Sequence, residues 1–273
     1  MRIGWLSTGR DQAACNLLAD VVARARRDGV DLDIGAVFCD REAGEAPESD
    51  RFLDLVRRLG FPCVTLSSAA SWATARARDT SREAWRDAYH RQVMHLLAPY
   101  GLGVLVMAGY MLVASPAMCR TYALLNLHPA LPGGPTGTWQ EVIWSLLEQE
   151  ARETGAMIHL ATPQLDRGPV VSYVRFPIVG DDWDELWAQF RAKRATASVS
   201  EIAAAEGEAE PLFAEVRRRG EVREIPLLYQ TLRLFATDRL TVANGTVVAG
   251  AAGLPLDLSA EVEEEVAPRR PST

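Results

Sequence analysis

Apolar residues in this chain occur in two patterns: short continuous runs, and longer stretches where they recur every three or four positions. Continuous runs are typical of strands buried on both faces of a sheet, and the wider spacing is typical of helices with one apolar side. The two patterns alternate along most of the chain, which is the order of a parallel sheet covered by helices. The sequence therefore predicts an α/β fold, with a Rossmann-like, mostly parallel, twisted sheet and helices on both faces.

The predicted elements follow from where each pattern begins and ends. Strands are predicted at residues 2–6, 32–38, 63–66, 102–108, 124–127, 157–161 and 169–177, and helices at 15–28, 50–59, 81–97 and 138–150. Residues 182–219 have helical spacing with few interruptions. A C-terminal helix at 227–235 precedes a β-hairpin at 240–248, and Asn244-Gly245 is its predicted turn because this dipeptide tolerates positive φ.

Composition narrows the classes of protein and partner. The 273 residues are 48% hydrophobic and 24% charged with a net charge of -7, which is ordinary for a globular domain and argues against a broad nucleic-acid surface. The uncharged stretch 101–118 is interrupted by glycines and a proline, so no membrane partner is expected. The first strand follows Met1 directly, and a cytoplasmic location is expected. Neither the four cysteines nor the four histidines have ligand spacing, so we expect reduced thiols and no metal.

Polar residues that could do chemistry follow three of the predicted strands. Asn126 and His128 lie two positions apart at the end of one strand, so their side chains are expected on one face, at the edge where open α/β sheets bind ligands. Asp166 lies in a polar turn between two later strands, from which a carboxylate could reach a histidine. The turn that follows strand 102–108 could wall a pocket with its backbone groups.

Taken singly, these residues also have ordinary structural interpretations. A histidine at a strand end is more often a hydrogen-bonded structural residue, and Asp166 is a common type of turn residue. His90 and His95 lie five apart on a helix and are expected on the surface or in packing. His159 lies within an apolar strand, where a buried and hydrogen-bonded imidazole is the default expectation.

The order of several motifs carries more information than any one of them. Residues 126–131 read Asn-Leu-His-Pro-Ala-Leu, residues 155–159 read Gly-Ala-Met-Ile-His, and residues 165–170 read Leu-Asp-Arg-Gly-Pro-Val. Upstream, residues 108–111 read Ala-Gly-Tyr-Met, with Ser115-Pro116 shortly after. Together they resemble the formyltransferase family that uses 10-formyltetrahydrofolate, most closely its members that formylate glycinamide ribonucleotide. We accordingly expect one domain at 1–258, with insertions near 68–80 and 192–221, and a disordered tail at 259–273.

The resemblance also implies roles for individual residues. The catalytic residues would be Asn126, His128 and Asp166. The formyl donor would contact Gly109, Tyr110, Met111, Leu112, Ala114 and Leu165. The amine substrate would contact Thr8, Gly9, Arg10, Asn16 and Glu224. Attack of an amine on a formyl carbon develops negative charge on oxygen, which an amide and a protonated imidazole would stabilise. A nearby carboxylate would raise the imidazole pKa and accept the amine proton through water.

Departures from the family pattern are concentrated on the amine side. The family's first loop is compact and glycine-rich and holds a phosphate, whereas residues 7–17 contain a single glycine and an aspartate, Asp11, that would oppose an anion. Residues 131–137, after the catalytic histidine, are shorter than in the family and lack its cation. The motifs on the formyl-donor side are intact, which suggests an altered acceptor.

The resulting functional prediction is transfer of a formyl group from 10-formyltetrahydrofolate to a primary amine, with glycinamide ribonucleotide of purine biosynthesis as the best single acceptor. One alternative is another amine, such as an amino sugar or a specialised metabolite. A second is a formyltetrahydrofolate hydrolase, although that enzyme normally carries an extra N-terminal domain. The expected partners are a small-molecule amine and the folate, with no nucleic acid and no membrane, and a homodimer is one expected assembly.

Overall fold

Strands form at every position where a continuous apolar run predicts one. The computed structural model describes residues 1–164, 166–243 and 245–267. Its strands are β1 (Ile3–Ser7), β2 (Ile34–Cys39), β3 (Cys63–Thr65), β4 (Val104–Met107), β5 (Ala123–His128), β6 (Glu153–Leu160), β7 (Val170–Pro177), β8 (Thr241–Ala243), β9 (Thr246–Val248) and β10 (Leu256–Asp257). The helices are α1 (Gln12–Arg27), α2 (Pro47–Leu59), α3 (Ser68–Arg76), α4 (Arg82–Leu97), α5 (Pro116–Thr121), α6 (Trp139–Glu148), α7 (Asp181–Arg194), α8 (Val199–Glu206), α9 (Pro211–Ala236) and α10 (Ser259–Val266).

The main sheet has the strand order β10-β7-β6-β5-β4-β1-β2-β3. The pairs β1–β2, β1–β4, β2–β3 and β4–β5 are parallel, which confirms the predicted class of sheet. Register aligns Leu6 of β1 with Met107 of β4, and Met107 with Asn126 of β5. The carboxyl ends of these three strands therefore lie in one row, with Asn126 about 10 Å from Leu6 at the usual strand spacing.

The chain divides into two compact units. Unit 1 consists of residues 1–126, 159–169 and 231–254, and unit 2 of residues 127–158, 170–230 and the described residues from Pro255 onward. In unit 1, α4 buries a stripe of side chains at helical spacing, namely Trp85, Tyr89, His90, Val93 and Leu97. Together with Phe38 of β2 and Leu105 of β4, most of these form an apolar core on one side of the parallel strands.

Unit 2 has its own core, to which the long helical region contributes. Trp183, Trp187 and Phe190 of α7 are buried, and they belong to the same cluster as residues of α8 and α9. The predicted helical stretch 182–219 is therefore several helices. It is interrupted at Ser198, which caps α8 through a reciprocal pair of hydrogen bonds with Glu201, and again at Gly207. The insertion predicted near 192–221 is part of a packed core.

The acidic tail differs from its prediction. The prediction that residues 259–273 are disordered is wrong for Ser259–Val266. This segment forms α10, and Val262 in it is fully buried. Composition misleads here because the acidic side chains have partners: Arg223 of α9 donates to both carboxylate oxygens of Glu263, at 2.6 and 2.9 Å. The hairpin strands β8 and β9 pair antiparallel as predicted, while the turn residue Asn244 lies outside the described residues. Across the described ranges, no helix is both long and apolar enough to cross a bilayer.

Candidate active site

A buried histidine in unit 1 links two of the predicted catalytic residues. His159, in β6, is 1% exposed, and its Nε2 lies 3.2 Å from the side-chain Nδ2 of Asn126 and 3.6 Å from Oδ1 of Asp166. Its Nδ1 lies 3.1 Å from the carbonyl oxygen of Leu160. Because a carbonyl can only accept, Nδ1 carries the proton, and Nε2 of the neutral ring accepts from the Asn126 amide.

The turn that carries Asp166 depends on a close approach of backbone to backbone. Asp166 has a φ of 52°, a left-handed conformation that aspartate tolerates better than most residues. Gly168 passes so close to β6 that a Cβ at this position would overlap the carbonyl oxygen of Leu160. The Leu160 N–H donates to the carbonyl of Pro169 at 2.9 Å. The Asp-Arg-Gly-Pro sequence thus folds the turn back onto the end of β6 and brings the carboxylate beside His159.

The predicted catalytic histidine lies two residues after Asn126, at the last position of β5 and within unit 2. His128 is 3% exposed, and its Nε2 lies 2.8 Å from the carbonyl oxygen of Pro135. This contact fixes a proton on Nε2. The sequence predicted Asp166 as the carboxylate neighbour of a catalytic histidine, and within unit 1 the imidazole beside it is that of His159.

The predicted donor loop, residues 109–115 after β4, is fixed to the first loop of unit 1. The Thr8 N–H donates to the carbonyl of Gly109 at 3.0 Å, and the Met111 N–H donates to Oγ1 of Thr8 at 3.0 Å. Tyr110 and Ala114 are buried and Leu112 is half-buried, whereas Met111 is 51% exposed and Val113 is 46% exposed. The loop therefore exposes two apolar side chains to solvent, while its backbone is fixed by hydrogen bonds to the buried Thr8. Leu165, the remaining predicted donor contact, lies outside the described residues.

Polar groups of the first loop, residues 7–17, form hydrogen bonds with one another. Gly9 has a φ of 57° and its N–H donates to Oγ of Ser7 at 3.2 Å. Asp11 caps α1 by accepting the Ala14 N–H at 3.1 Å, so a carboxylate already fills the anion-binding end of this helix. Arg10 is exposed, and its Nε lies 3.4 Å from Oδ2 of Asp11. Asn16 is exposed on α1 and accepts from Gln12.

The last predicted substrate contact, Glu224, lies on α9 in unit 2. Burial raises its pKa, and its carboxylate accepts from Nη1 of Arg217 at 2.7 Å. The Arg217 guanidinium also lies 4.5 Å above the ring of Trp139, at the start of α6. Glu224 is thus a partly desolvated carboxylate with a fixed cationic neighbour.

Sequence reasoning did not predict the contacts that two histidines make. His159 was predicted to be a buried, hydrogen-bonded imidazole, which it is, but the sequence did not indicate that Asn126 and Asp166 flank the same ring nitrogen. His90 is fully buried and contacts the donor loop, whereas His95 is exposed. Within the residues the structure describes, no group of three or more His, Cys, Asp or Glu side chains is arranged to hold a metal ion.

Comparison with known proteins identifies the family. The formyl transferase family model matches residues 16–201, which is more than half of the chain and includes Asn126, His128, His159 and Asp166. The chain belongs to the formyl transferase family. The match begins after Thr8, Gly9 and Arg10 and ends before Glu224, so most of the predicted amine contacts lie outside it.

Individual relatives agree with this assignment. The chain is 36% identical over 115 residues to phosphoribosylglycinamide formyltransferase of Escherichia coli strain K12, covering 40% of this chain and 51% of that protein. It thus spans about half the length of the curated relatives it matches. The crystal structure of glycinamide ribonucleotide transformylase 1 from Symbiobacterium toebii aligns with a TM-score of 0.59 at 24% identity, covering 91% of this chain and 93% of that one. A formyltetrahydrofolate deformylase from Pseudomonas syringae pv. tomato str. DC3000 aligns with a TM-score of 0.58 at 20% identity, covering 91% and 65%. These two structures share the fold.

Proposed function

We propose that this protein transfers a formyl group from 10-formyltetrahydrofolate to a primary amine. The observation that carries the proposal is the cluster within the family match, where Asn126 and Asp166 flank one nitrogen of His159. A neutral amide donor and a buried carboxylate beside one imidazole are groups that acyl transfer to an amine can use, as an oxyanion donor and as a proton acceptor. Formyl transfer within purine biosynthesis in the cytoplasm is the cellular setting we propose.

In this proposal each catalytic residue has a separate task. The Asn126 amide has two N–H groups; one contacts His159, and the other would donate to the formyl oxygen as negative charge develops on it. A protonated His128 would supply a second and stronger donor. Asp166 would accept the proton lost by the amine, directly or through water.

Two exposed apolar side chains support the proposal that the folate ring binds at the donor loop. Met111 and Val113 expose apolar surface on neighbouring positions of one loop, and a flat heteroaromatic ring gains by covering such surface. The proposed donor contacts remain Gly109, Tyr110, Met111, Leu112, Ala114 and Leu165. When bound, the folate supplies the activated formyl carbon, and the protein contributes orientation and charge stabilisation.

The proposed acceptor is glycinamide ribonucleotide, which the relatives' names support. Thr8, Gly9, Arg10, Asn16 and Glu224 are its proposed contacts. The Asp11 carboxylate at the start of α1 favours the alternative of a different amine, such as an amino sugar or a specialised metabolite, because it repels a phosphate. We further propose one formyltransferase domain that begins at residue 1 and, because α10 is packed, extends past residue 258, and we propose a homodimer as one of its assemblies.

A second function has a specific observation in its favour. The likeness to a formyltetrahydrofolate deformylase extends over 91% of this chain. Hydrolysis would use the same residues, with water in place of the amine and formate as the product.

One experiment separates these functions. The purified protein is incubated with 10-formyltetrahydrofolate, alone and with glycinamide ribonucleotide, an amino sugar or other amines, and both tetrahydrofolate and formate are measured. Formyl transfer predicts tetrahydrofolate production that requires an amine and yields no formate. Formate release without an amine would instead identify the hydrolase. Absence of tetrahydrofolate in every incubation would exclude both reactions.

A further inference from the structure

His90 is a buried titratable group that the proposed chemistry does not use. It lies on α4 in unit 1 and is fully buried, yet both of its ring nitrogens face the donor loop. Nδ1 lies 3.2 Å from the backbone N of Ser115, and Nε2 lies 3.1 Å from the hydroxyl oxygen of Tyr110. Tyr110 and Ser115 are at opposite ends of this loop. One imidazole therefore holds both ends.

These contacts determine the state of the ring. A backbone N–H can only donate, so Nδ1 accepts from Ser115 and the proton is on Nε2, which donates to Tyr110. Burial, reinforced by the Arg86 guanidinium, lowers the pKa of His90 to about 4. The ring is therefore neutral at physiological pH, in the single tautomer that satisfies both partners.

A second buried group holds the middle of the loop. Thr8 is buried; its Oγ1 accepts the Met111 N–H at 3.0 Å, and its backbone N–H donates to the carbonyl of Gly109 at 3.0 Å. The loop is thus held at Tyr110, Met111 and Ser115. Its exposed side chains, Met111 and Val113, lie between these points of attachment.

We propose that His90 is a positioning residue that holds the donor loop in the conformation that binds the folate. This inference rests on the proposed function, because the loop is the proposed donor site. A planar ring binds more tightly to an apolar surface that is already ordered. If the loop were disordered in the free protein, the free-energy cost of ordering it would reduce the affinity for the ligand. By holding both ends, His90 removes that cost before the ligand arrives.

The test uses matched substitutions on one helix. His90→Leu removes both hydrogen bonds, whereas His90→Gln retains an acceptor for Ser115 and a donor for Tyr110. Val93→Ala is the control, because Val93 lies one turn further along α4 and is buried in the same core. For each variant we would measure the Kd of 5-formyltetrahydrofolate by calorimetry, the KM for 10-formyltetrahydrofolate and for the amine, and hydrogen exchange of the Met111 and Ser115 amides.

The expected pattern separates positioning from general stability. His90→Leu should weaken folate binding about tenfold or more, as the loss of two buried hydrogen bonds suggests, and should accelerate exchange at Ser115 with little change in the amine KM. His90→Gln should restore most of the affinity. Val93→Ala should lower Tm without a selective change in folate affinity.

Two outcomes would overturn the inference, and they differ in what else they affect. A wild-type protein that binds no folate would remove the proposed function and this inference together. A wild-type protein that binds folate, with an unchanged Kd in His90→Leu or with an equal loss in Val93→Ala, would remove the inference alone.

Discussion

Oδ1 of Asp166 lies 3.6 Å from Nε2 of His159, and both side chains are almost completely shielded from solvent. At this separation the carboxylate oxygen and the imidazole nitrogen are two hydrogen-bond acceptors that face each other, so a proton on either atom would convert the pair into a donor and an acceptor. The Asn126 amide shares the same imidazole nitrogen, so the hydrogen-bond donor and the proposed proton acceptor of the site are linked through one ring.

Replacing Asp166 with asparagine should therefore lower kcat on the order of 10²-fold or more, because proton transfer from the amine loses its acceptor. The side chains have nearly the same shape, and asparagine also tolerates the positive φ of this turn, so Tm should change little. Steady-state kinetics and thermal unfolding measure the two effects.

A matched control is available at Asp79, which has a φ of 55° in an exposed turn of unit 1. Asp79→Asn makes the same chemical change away from the site and should leave kcat unaltered. A similar fall in both variants, or none in either, would show that the Asp166 carboxylate takes no part in turnover.

Gly168→Ala should destabilise the protein by about 1–3 kcal/mol and reduce activity, because the added methyl group would overlap the Leu160 carbonyl and displace the turn that carries Asp166. Gly220→Ala, inside α9 with no atom near the added methyl group, should instead stabilise the protein by about 0.5–1 kcal/mol. Chemical denaturation of the two variants measures the change in the free energy of unfolding, which should be a decrease for Gly168→Ala and an increase for Gly220→Ala. A Gly168→Ala protein of wild-type stability would contradict the close approach.

These residues show what the sequence could and could not predict. The strands were predictable because each is a continuous apolar run, and Asn126 and His128 could be placed at a strand end because strand geometry is local. The contact of Asp166 with His159 was not predictable from pattern. The contact depends on how the turn that carries Asp166 packs against the end of β6. That packing requires the absence of a side chain at Gly168.

The tail and His90 illustrate a related limit. Helical periodicity is consistent with burial of His90, but it does not indicate which loop faces the ring. An acidic segment is typical of a solvated tail, yet Arg223, 40 positions away in sequence, pairs with Glu263 and helps to hold α10 in place. Such pairings are long-range, and composition carries no information about them.

The stability of the protein should fall as pH decreases from about 6.5 to 4. The folded state lowers the pKa of His90 to about 4, while the unfolded chain has the ordinary value near 6.5, so between these values the unfolded state binds the extra proton. The contribution of this residue approaches about 1.4 kcal/mol per pH unit within that window. Charges on the same helix act in opposite directions, since Arg86 lowers this pKa and Asp87 raises it.

A comparison of the wild type with His90→Gln isolates the contribution of His90 to the pH dependence of stability, because every other titrating group is common to both proteins. Chemical denaturation between pH 4 and 7 should show that the free energy of unfolding depends less steeply on pH in the variant than in the wild type. Above pH 7, the plots of unfolding free energy against pH should be parallel for the two proteins. Identical slopes throughout would mean that the ring is not held neutral in the folded state.

The carboxylate that caps α1 leads to the last prediction, which concerns the acceptor. Asp11→Asn preserves the side-chain oxygen that accepts the Ala14 N–H, so the cap and the stability should be retained, but it removes a negative charge from the helix end. If glycinamide ribonucleotide places its phosphate there, its KM should fall about two- to fivefold, as expected for one charge at a helix terminus. The KM for 10-formyltetrahydrofolate should not change. Asp20→Asn, which removes an exposed charge further along the same helix, is the control for net charge. An unchanged KM for glycinamide ribonucleotide in Asp11→Asn would indicate that the acceptor's phosphate binds away from the first loop.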